Sequence, residues 1–154
     1  MRGIRRSEQF EDMVRMLAEA QHPEAGRSIF PTMRELMFFA AVLGFEHDRK
    51  RPLQAQTNEI DGRTFSGSAQ ALDLLYLIAL ADDRNVDVLR EENDEKMIEI
   101  FEQYAQGGFE IIAGWLREKP EDLNGDQALL SGLSRNGFLS APSDVDKVIE
   151  NVSF

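Results

Sequence analysis

The feature that most constrains the fold is an apolar segment with helical periodicity between Pro31 and Gly44. Thr32 is followed three residues later by Glu35, which is the spacing of a capping box that satisfies free amide groups of a first helical turn. Apolar residues then recur at every third or fourth position, as on the buried face of a helix. They are Met33, Leu36, Met37, Ala40 and Leu43, with Phe38 and Phe39 widening the face. The pattern predicts a buried helix that ends at Gly44.

Two further segments carry helical signals on either side of this one. Ser7 is expected to cap a first helix that runs to about Ala20, with Phe10, Val14 and Leu17 on its apolar face. Residues 69–81, preceded by Ser68, are apolar on nearly every side. Because a helix that is apolar all round is normally covered by its neighbours, we expect this segment to be the most buried element.

A longer helix is predicted to begin at Asn93 or Asp94 and to end before Pro120. Gly107 and Gly108 interrupt it, and each costs up to about 1 kcal/mol relative to Ala inside a helix. The apolar spacing resumes immediately after the two glycines. We therefore predict a kink or a close backbone contact at this point, and not the end of the helix.

The remaining segments are shorter. Residues 53–65 are polar and contain an Asp61-Gly62 turn signal, which favours a short extended or hairpin segment. Residues 127–133 predict a short helix, and residues 144–150 are apolar on one side only. The sequence thus predicts an all-α protein, a single-domain irregular bundle of about five to seven helices spanning residues 1–154. Its core is expected at about 7–118, with the tail at 121–154 less firmly placed.

Composition narrows the compartment and the chemistry. The chain has no cysteine, which excludes disulfides, thiolate nucleophiles and cysteine-based metal sites and fits a reducing compartment. The basic start at residues 1–6 runs into polar residues, unlike a signal peptide. No apolar run approaches the ~20 residues that a membrane span requires. We expect a cytoplasmic protein with no membrane contact.

Familiar catalytic motifs do not occur in the sequence. It contains no phosphate-binding loop, nucleophile elbow or metalloprotease helix. Neither His22 nor His47 belongs to a metal-ligand spacing, and the acidic turn at 122–126 lacks the glycine placement and distal Glu of a calcium loop. We therefore expect no enzymatic activity, no cofactor and no bound metal.

The charge is asymmetric along the chain, although the total is −11. Residues 1–51 carry nine basic and eight acidic residues, whereas residues 52–154 carry eight and twenty. One interpretation is solvated charge beside helices. The other is phosphate binding without base specificity, because an arginine fork holds phosphate oxygens bidentately. The candidate residues are Arg49, Lys50 and Arg51 first, Arg5 and Arg6 second, and Arg34.

Two segments carry a resemblance to a known family. Residues 29–41 and 100–109, with the intermediate points 51–53 and 75–81, resemble a small protein encoded beside bacterial DNA phosphorothioation systems, the Dnd system-associated protein 4 family. The resemblance covers residues 4–118 and stops at Pro120. It implies an accessory role in phosphorothioate-based DNA modification or in the restriction and antiphage defence that accompany it. Its implied partners are other proteins of that machinery, and it transfers no catalytic residues.

Three hypotheses remain open at this stage. The first is an interaction protein that adapts or regulates the Dnd machinery, favoured by the acidic body and the missing catalytic motifs. The second is a direct DNA-binding module that uses the basic clusters. The third is an unrecognised enzyme, or a DNA mimic with a continuous acidic face from Asp82 to Glu95. The sequence does not predict the oligomeric state.

Overall fold

The computed structural model describes residues 1–139 and is mainly helical over that range. These residues form six α-helices and one antiparallel sheet of two strands, so the predicted helical class and helix number are confirmed. Short 3₁₀ turns lie at Glu8–Phe10, Val86–Leu89 and Glu91–Asn93. In chain order the elements are β1 (Ile4–Ser7), α1 (Glu11–Ala18), α2 (Met33–Glu46), β2 (Thr57–Ile60), α3 (Gly62–Ser66), α4 (Ala69–Asp83), α5 (Asp94–Glu118) and α6 (Asp126–Arg135).

The contacts divide the chain into two units, with the boundary between Ala113 and Gly114 inside α5. The first unit holds the sheet, α1 to α4 and most of α5. The second unit holds the last turns of α5 and the whole of α6. The organisation as one domain stays a prediction.

Helix α2 begins as the capping pattern predicts. The Thr32 hydroxyl oxygen accepts a hydrogen bond from the Glu35 amide at 3.4 Å, and the Glu35 carboxylate contacts the Thr32 hydroxyl. The predicted end at Gly44 is wrong, because the helix continues to Glu46. The chain leaves the helix through Asp48, whose φ of 52° is left-handed.

Replacing Thr32 by alanine is expected to lower the free energy of unfolding by about 1 kcal/mol, because the first turn loses its cap. Urea denaturation measures this change. Thr64→Ala is the control, since Thr64 is exposed and lies in α3 away from any cap position. Equal unfolding midpoints for the two variants would contradict the capping role.

Gly44 lies where two helices cross, and not at the end of a helix. A Cβ atom at Gly44 would lie 2.0 Å from the Tyr104 carbonyl oxygen, and one at Gly108 would lie 1.8 Å from the Ala40 carbonyl oxygen. Such distances fall far inside van der Waals contact, so α2 and α5 approach each other backbone to backbone. Helix α5 runs unbroken through both glycines. The predicted close backbone contact at residues 107 and 108 is confirmed.

The core of the first unit is organised around α5. Phe101 is fully buried and contacts Phe38 and Phe65 edge to face, with ring centroids 5.7 and 5.9 Å apart. The expectation that residues 69–81 form the most buried element is wrong within the described range. Helix α4 buries one stripe, Ala71, Leu75, Ile78 and Ala79, and leaves Leu77 62% exposed. Ser68 caps its first turn, with the hydroxyl oxygen accepting a hydrogen bond from the Ala71 amide.

The N-terminal segment forms a strand where a helix start was predicted. Strand β1 pairs antiparallel with β2, with Ile4 opposite Ile60 and Ser7 opposite Thr57. The Ser7 hydroxyl accepts a hydrogen bond from the Gln54 amide at 2.9 Å, so Ser7 does not cap a helix. The extended segment predicted near 53–65 is confirmed, and its partner is the N-terminus, whose fully buried Ile4 explains the pairing.

In the second unit, Trp115 covers Gly132 of α6, and the predicted short helix at 127–133 is confirmed. Asp122 accepts hydrogen bonds from the amides of Gly125 and Ala128 at the start of α6. Burial acts to raise the pKa of Asp122, but these hydrogen bonds outweigh it and hold the pKa below its usual value. The segment predicted at 144–150 lies outside the described residues. None of the helices in residues 1–139 combines the length and hydropathy that crossing a membrane requires.

Candidate functional surface

The first basic cluster is tied to carboxylates of the same chain. Glu102 is only 2% exposed and accepts from both terminal nitrogens of Arg2, at 2.7 and 3.1 Å, and from the Arg5 amide at 2.7 Å. The Arg5 guanidinium lies 3.5 Å from the same carboxylate. The hydrogen bond to Glu102 raises the pKa of Arg2, so its charge is fixed. Arg6 is buried and pairs with Glu11 at 3.1 Å.

The second cluster, residues 49–51, is held against α5. The Arg49 amide bonds to the Gly44 carbonyl oxygen and the Arg51 amide to that of Gln103. The side chains of Lys50 and Arg51 pair with Asp82 at 2.9 Å and with Glu110 at 3.5 Å. Within the described residues, the Arg49 guanidinium is the member of this cluster that has no ion pair. The loop is thus placed at one end of α2, and most of its charge is compensated by carboxylates of the same chain.

Arg34 is also engaged within the fold. Its guanidinium donates to the Thr64 carbonyl oxygen at 2.8 Å and to the Glu35 carboxylate at 3.2 Å. Five of the six candidate phosphate-binding residues therefore have a carboxylate partner within 4 Å in the described structure. Their role as phosphate contacts stays a prediction.

Tyr104, Asp82 and Lys50 form a hydrogen-bonded group beside the loop. The Tyr104 hydroxyl donates to Asp82 at 2.7 Å, and the Lys50 ammonium lies 5.8 Å from the Tyr104 ring centroid. Burial acts to raise the pKa of Asp82, but the hydrogen bonds from Tyr104 and Lys50 hold it below its usual value. Burial and the bond to Asp82 both raise the pKa of Tyr104. Tyr104 is 6% exposed, so its side chain packs in the core.

This group predicts a loss of stability at alkaline pH. An unfolded chain ionises tyrosine near pH ~10, whereas folding raises the pKa of Tyr104. The stabilisation is therefore complete below about pH 10 and declines as pH rises through the folded pKa. Tyr104→Phe should be less stable at pH 7, by about 1 kcal/mol for the lost hydrogen bond, but should lose less stability between pH 9 and 11. Urea midpoints across that range measure it, and parallel profiles for the two proteins would contradict it.

The acidic stretch from Asp82 to Glu95 is not continuous. Lys96 pairs with Asp83 at 3.0 Å, and Arg90 lies 3.0 Å from Asp87 and 4.0 Å from Glu92. The cations interrupt the negative surface that a DNA mimic requires. Among residues 1–139, no group of three or more His, Asp or Glu side chains is arranged to hold a metal ion.

A further feature of the described surface is apolar. On the outer side of α4 and the following 3₁₀ turn, Leu77, Val86 and Leu89 are 62%, 71% and 40% exposed. Single exposed aliphatic residues are ordinary, whereas a contiguous group marks an interaction site. We call residues Tyr76, Leu77, Leu80 and Leu89, which line one surface groove, the α4 patch.

Two features of this surface were missed by sequence reasoning. Glu102 lies on the apolar face of α5, four residues after Ile98 and three before Ala105. A charged residue at a core position of a helical pattern signals a buried partner, and that signal was available. The α4 patch was hidden because an apolar helix was assumed to be covered on all sides.

Fold and surface together define a small, mainly helical protein with internally paired basic residues and an uncovered apolar helix face. A family model described as DNA sulphur modification system-associated protein 4 matches residues 3–147. The chain therefore belongs to that family, and the resemblance in the sequence is confirmed. The match also extends past Pro120, where the resemblance was expected to stop. No curated protein and no solved structure matches the chain.

Proposed function

We propose that this protein is a non-catalytic adaptor or regulator that binds other proteins of the DNA sulphur modification system with which its family is associated. The observation that carries this proposal is the α4 patch, because a water-exposed group of leucine side chains has an energetic reason to be covered by a partner. The internal pairing of the basic residues supports it, since a phosphate would first have to displace the carboxylate that each paired cation already contacts. The protein acts in the cytosol, in the modification or in the restriction and antiphage defence linked to it.

Direct DNA binding is the second candidate function. Arg49 favours it, because its guanidinium is free of ion pairs within the described residues and lies next to Lys50 and Arg51. The neighbouring pairs are partly exposed, and exposed ion pairs contribute only about 0 to 1 kcal/mol. A phosphate could therefore displace those carboxylates at modest cost.

One set of titrations separates the two functions. The purified protein is titrated with each purified protein of the modification system, and with plain and phosphorothioate-containing duplexes at 50 and 200 mM salt. The proposal expects binding to a system protein and weak binding to both duplexes. DNA binding through about six phosphate contacts would instead fall by roughly 10³-fold or more between the two salt concentrations.

A triple variant and a single control variant test whether the residues of the 49–51 loop bind DNA. Arg49→Gln, Lys50→Gln and Arg51→Gln combined removes the loop charge, whereas Arg63→Gln removes one charge from a 92% exposed side chain elsewhere. The adaptor function expects neither variant to weaken the protein complex. Tight duplex binding that is lost only in the combined variant would replace the adaptor with a DNA-binding module.

A further inference from the structure

The α4 patch contains a groove of about 300 Å³. It is lined by Asp73, Tyr76, Leu77 and Leu80 of α4 and by Leu89 of the 3₁₀ turn that follows. Residues 73, 76, 77 and 80 fall on one stripe of the helix, at spacings of three, four and seven. At 1.5 Å per residue this stripe is roughly 10 Å long, which matches about two turns of a second helix. An apolar groove of this form is the receptor in helix-in-groove recognition.

The charge of this chain limits which kind of segment is able to bind in the groove. The whole chain has a net charge of −11, and Asp73 contributes a carboxylate to the groove itself. Such a field attracts a cationic segment and repels an anionic one. A second copy of the chain has a net charge of −11. The chain's own residues 144–150 contain Asp144, Asp146 and Glu150 against Lys147, so they are acidic as well.

We propose that this groove binds a basic amphipathic helix of a partner protein. The partner's apolar residues pack on Leu77, Leu80 and Leu89, and its Lys or Arg side chains lie toward Asp73. Two or three aliphatic anchors at i, i+3 or i+4, and i+7 fit the length of the stripe. The inference rests on the proposed function, because it names the class of partner segment for that same interaction.

The first test uses the complex with a system protein found in the titrations above. Leu77→Glu places a charge in the groove and is expected to weaken the complex at least tenfold. Leu130→Glu is the matched control, since Leu130 is 57% exposed on α6, and it is expected to change the affinity less than twofold. Both positions are exposed, so circular dichroism melting should show both variants folded.

The two proposals fail in different ways. If no system protein binds, the proposed function fails and this inference fails with it. If a system protein binds but Leu77→Glu weakens the complex no more than Leu130→Glu, the adaptor function stands and the groove is excluded as its site.

A second test probes the chemistry of the occupant directly. Two 18-residue helical peptides are compared by fluorescence anisotropy, with the same leucine face and with either Lys or Glu on the flanking positions. We expect the Lys peptide to bind at least tenfold more tightly, with weaker binding at higher salt and in Leu77→Glu. Equal affinities, or no binding of the Lys peptide, would overturn the proposal.

Two other possible occupants of the groove, a second copy of the chain and the chain's own tail, are tested by separate measurements. Sedimentation of the full chain is expected to show no self-association through the groove. Self-association that Leu77→Glu abolishes would instead assign the groove to a second copy of the chain and would overturn the proposal. Val148→Glu is expected to leave the affinity for the Lys peptide unchanged. A marked increase in that affinity would show that the chain's own tail occupies the groove, which would also overturn the proposal.

Discussion

Gly108→Ala is expected to lower the free energy of unfolding by about 1 to 2 kcal/mol. The added methyl group would lie 1.8 Å from the Ala40 carbonyl oxygen. That atom belongs to the backbone of α2, so it cannot rotate away, and the two helices must separate. Overpacking of this kind costs about 1 to 3 kcal/mol and occasionally more, whereas the better helix propensity of alanine returns only about 1 kcal/mol.

Gly114→Ala on the same helix is the matched control. The nearest atom to a methyl group at Gly114 is a terminal nitrogen of Arg117 at 3.8 Å, which is an ordinary contact. This variant should be unchanged, or more stable by up to about 1 kcal/mol. Urea denaturation of both variants measures the difference, and a stable Gly108→Ala protein would contradict the close approach of α2 and α5.

Glu102→Gln is the second large effect, with an expected loss of about 2 to 4 kcal/mol. The Glu102 carboxylate is 2% exposed and serves the Arg2 guanidinium and the Arg5 amide together. An amide keeps the shape but loses the charge, and its NH₂ group would face donors where an acceptor is needed. Removing one partner of a buried ion pair costs about 3 to 5 kcal/mol, and the partial exposure of Arg2 reduces this figure.

Glu95→Gln tests whether burial of the carboxylate is the cause of the large stability loss expected for Glu102→Gln. Glu95 also approaches Arg2, at 3.8 Å, but its side chain is 75% exposed. An exposed pair contributes about 0 to 1 kcal/mol, so this variant should unfold almost like the parent protein. Equal losses in Glu95→Gln and Glu102→Gln would mean that long-range charge, and not the buried hydrogen bonds, stabilises the N-terminal strand.

Local patterns in the sequence predicted the helices well. The cap at Thr32 and the turn residues before α6 depend on neighbours within three or four positions, so the sequence shows them directly. The glycines at 107 and 108 also indicated a close approach correctly, because the apolar spacing on both sides required one continuous helix.

Features that depend on distant partners were not predictable in the same way. Ser7 looks like a helix cap, but it lies in β1 because Ile4 is buried and pairs with Ile60, more than fifty residues away. The candidate phosphate-binding residues appeared as free positive charge because their carboxylate partners, such as Glu102 and Glu110, lie far along the chain. For α4, hydropathy shows which side chains avoid water but not which of them a single chain is able to cover.

The long-range contacts of residues 2–7 also determine when these residues reach their final positions during synthesis. Arg2 is bonded to Glu102, one hundred residues later, and β1 has no partner strand until residues 57–60 exist. At roughly 5 to 20 residues per second on a ribosome, about 5 to 20 s separate the synthesis of Arg2 and Glu102. Residues 2–7 are therefore made well before the residues that they contact, and the nascent chain exposes Ile4 during that interval.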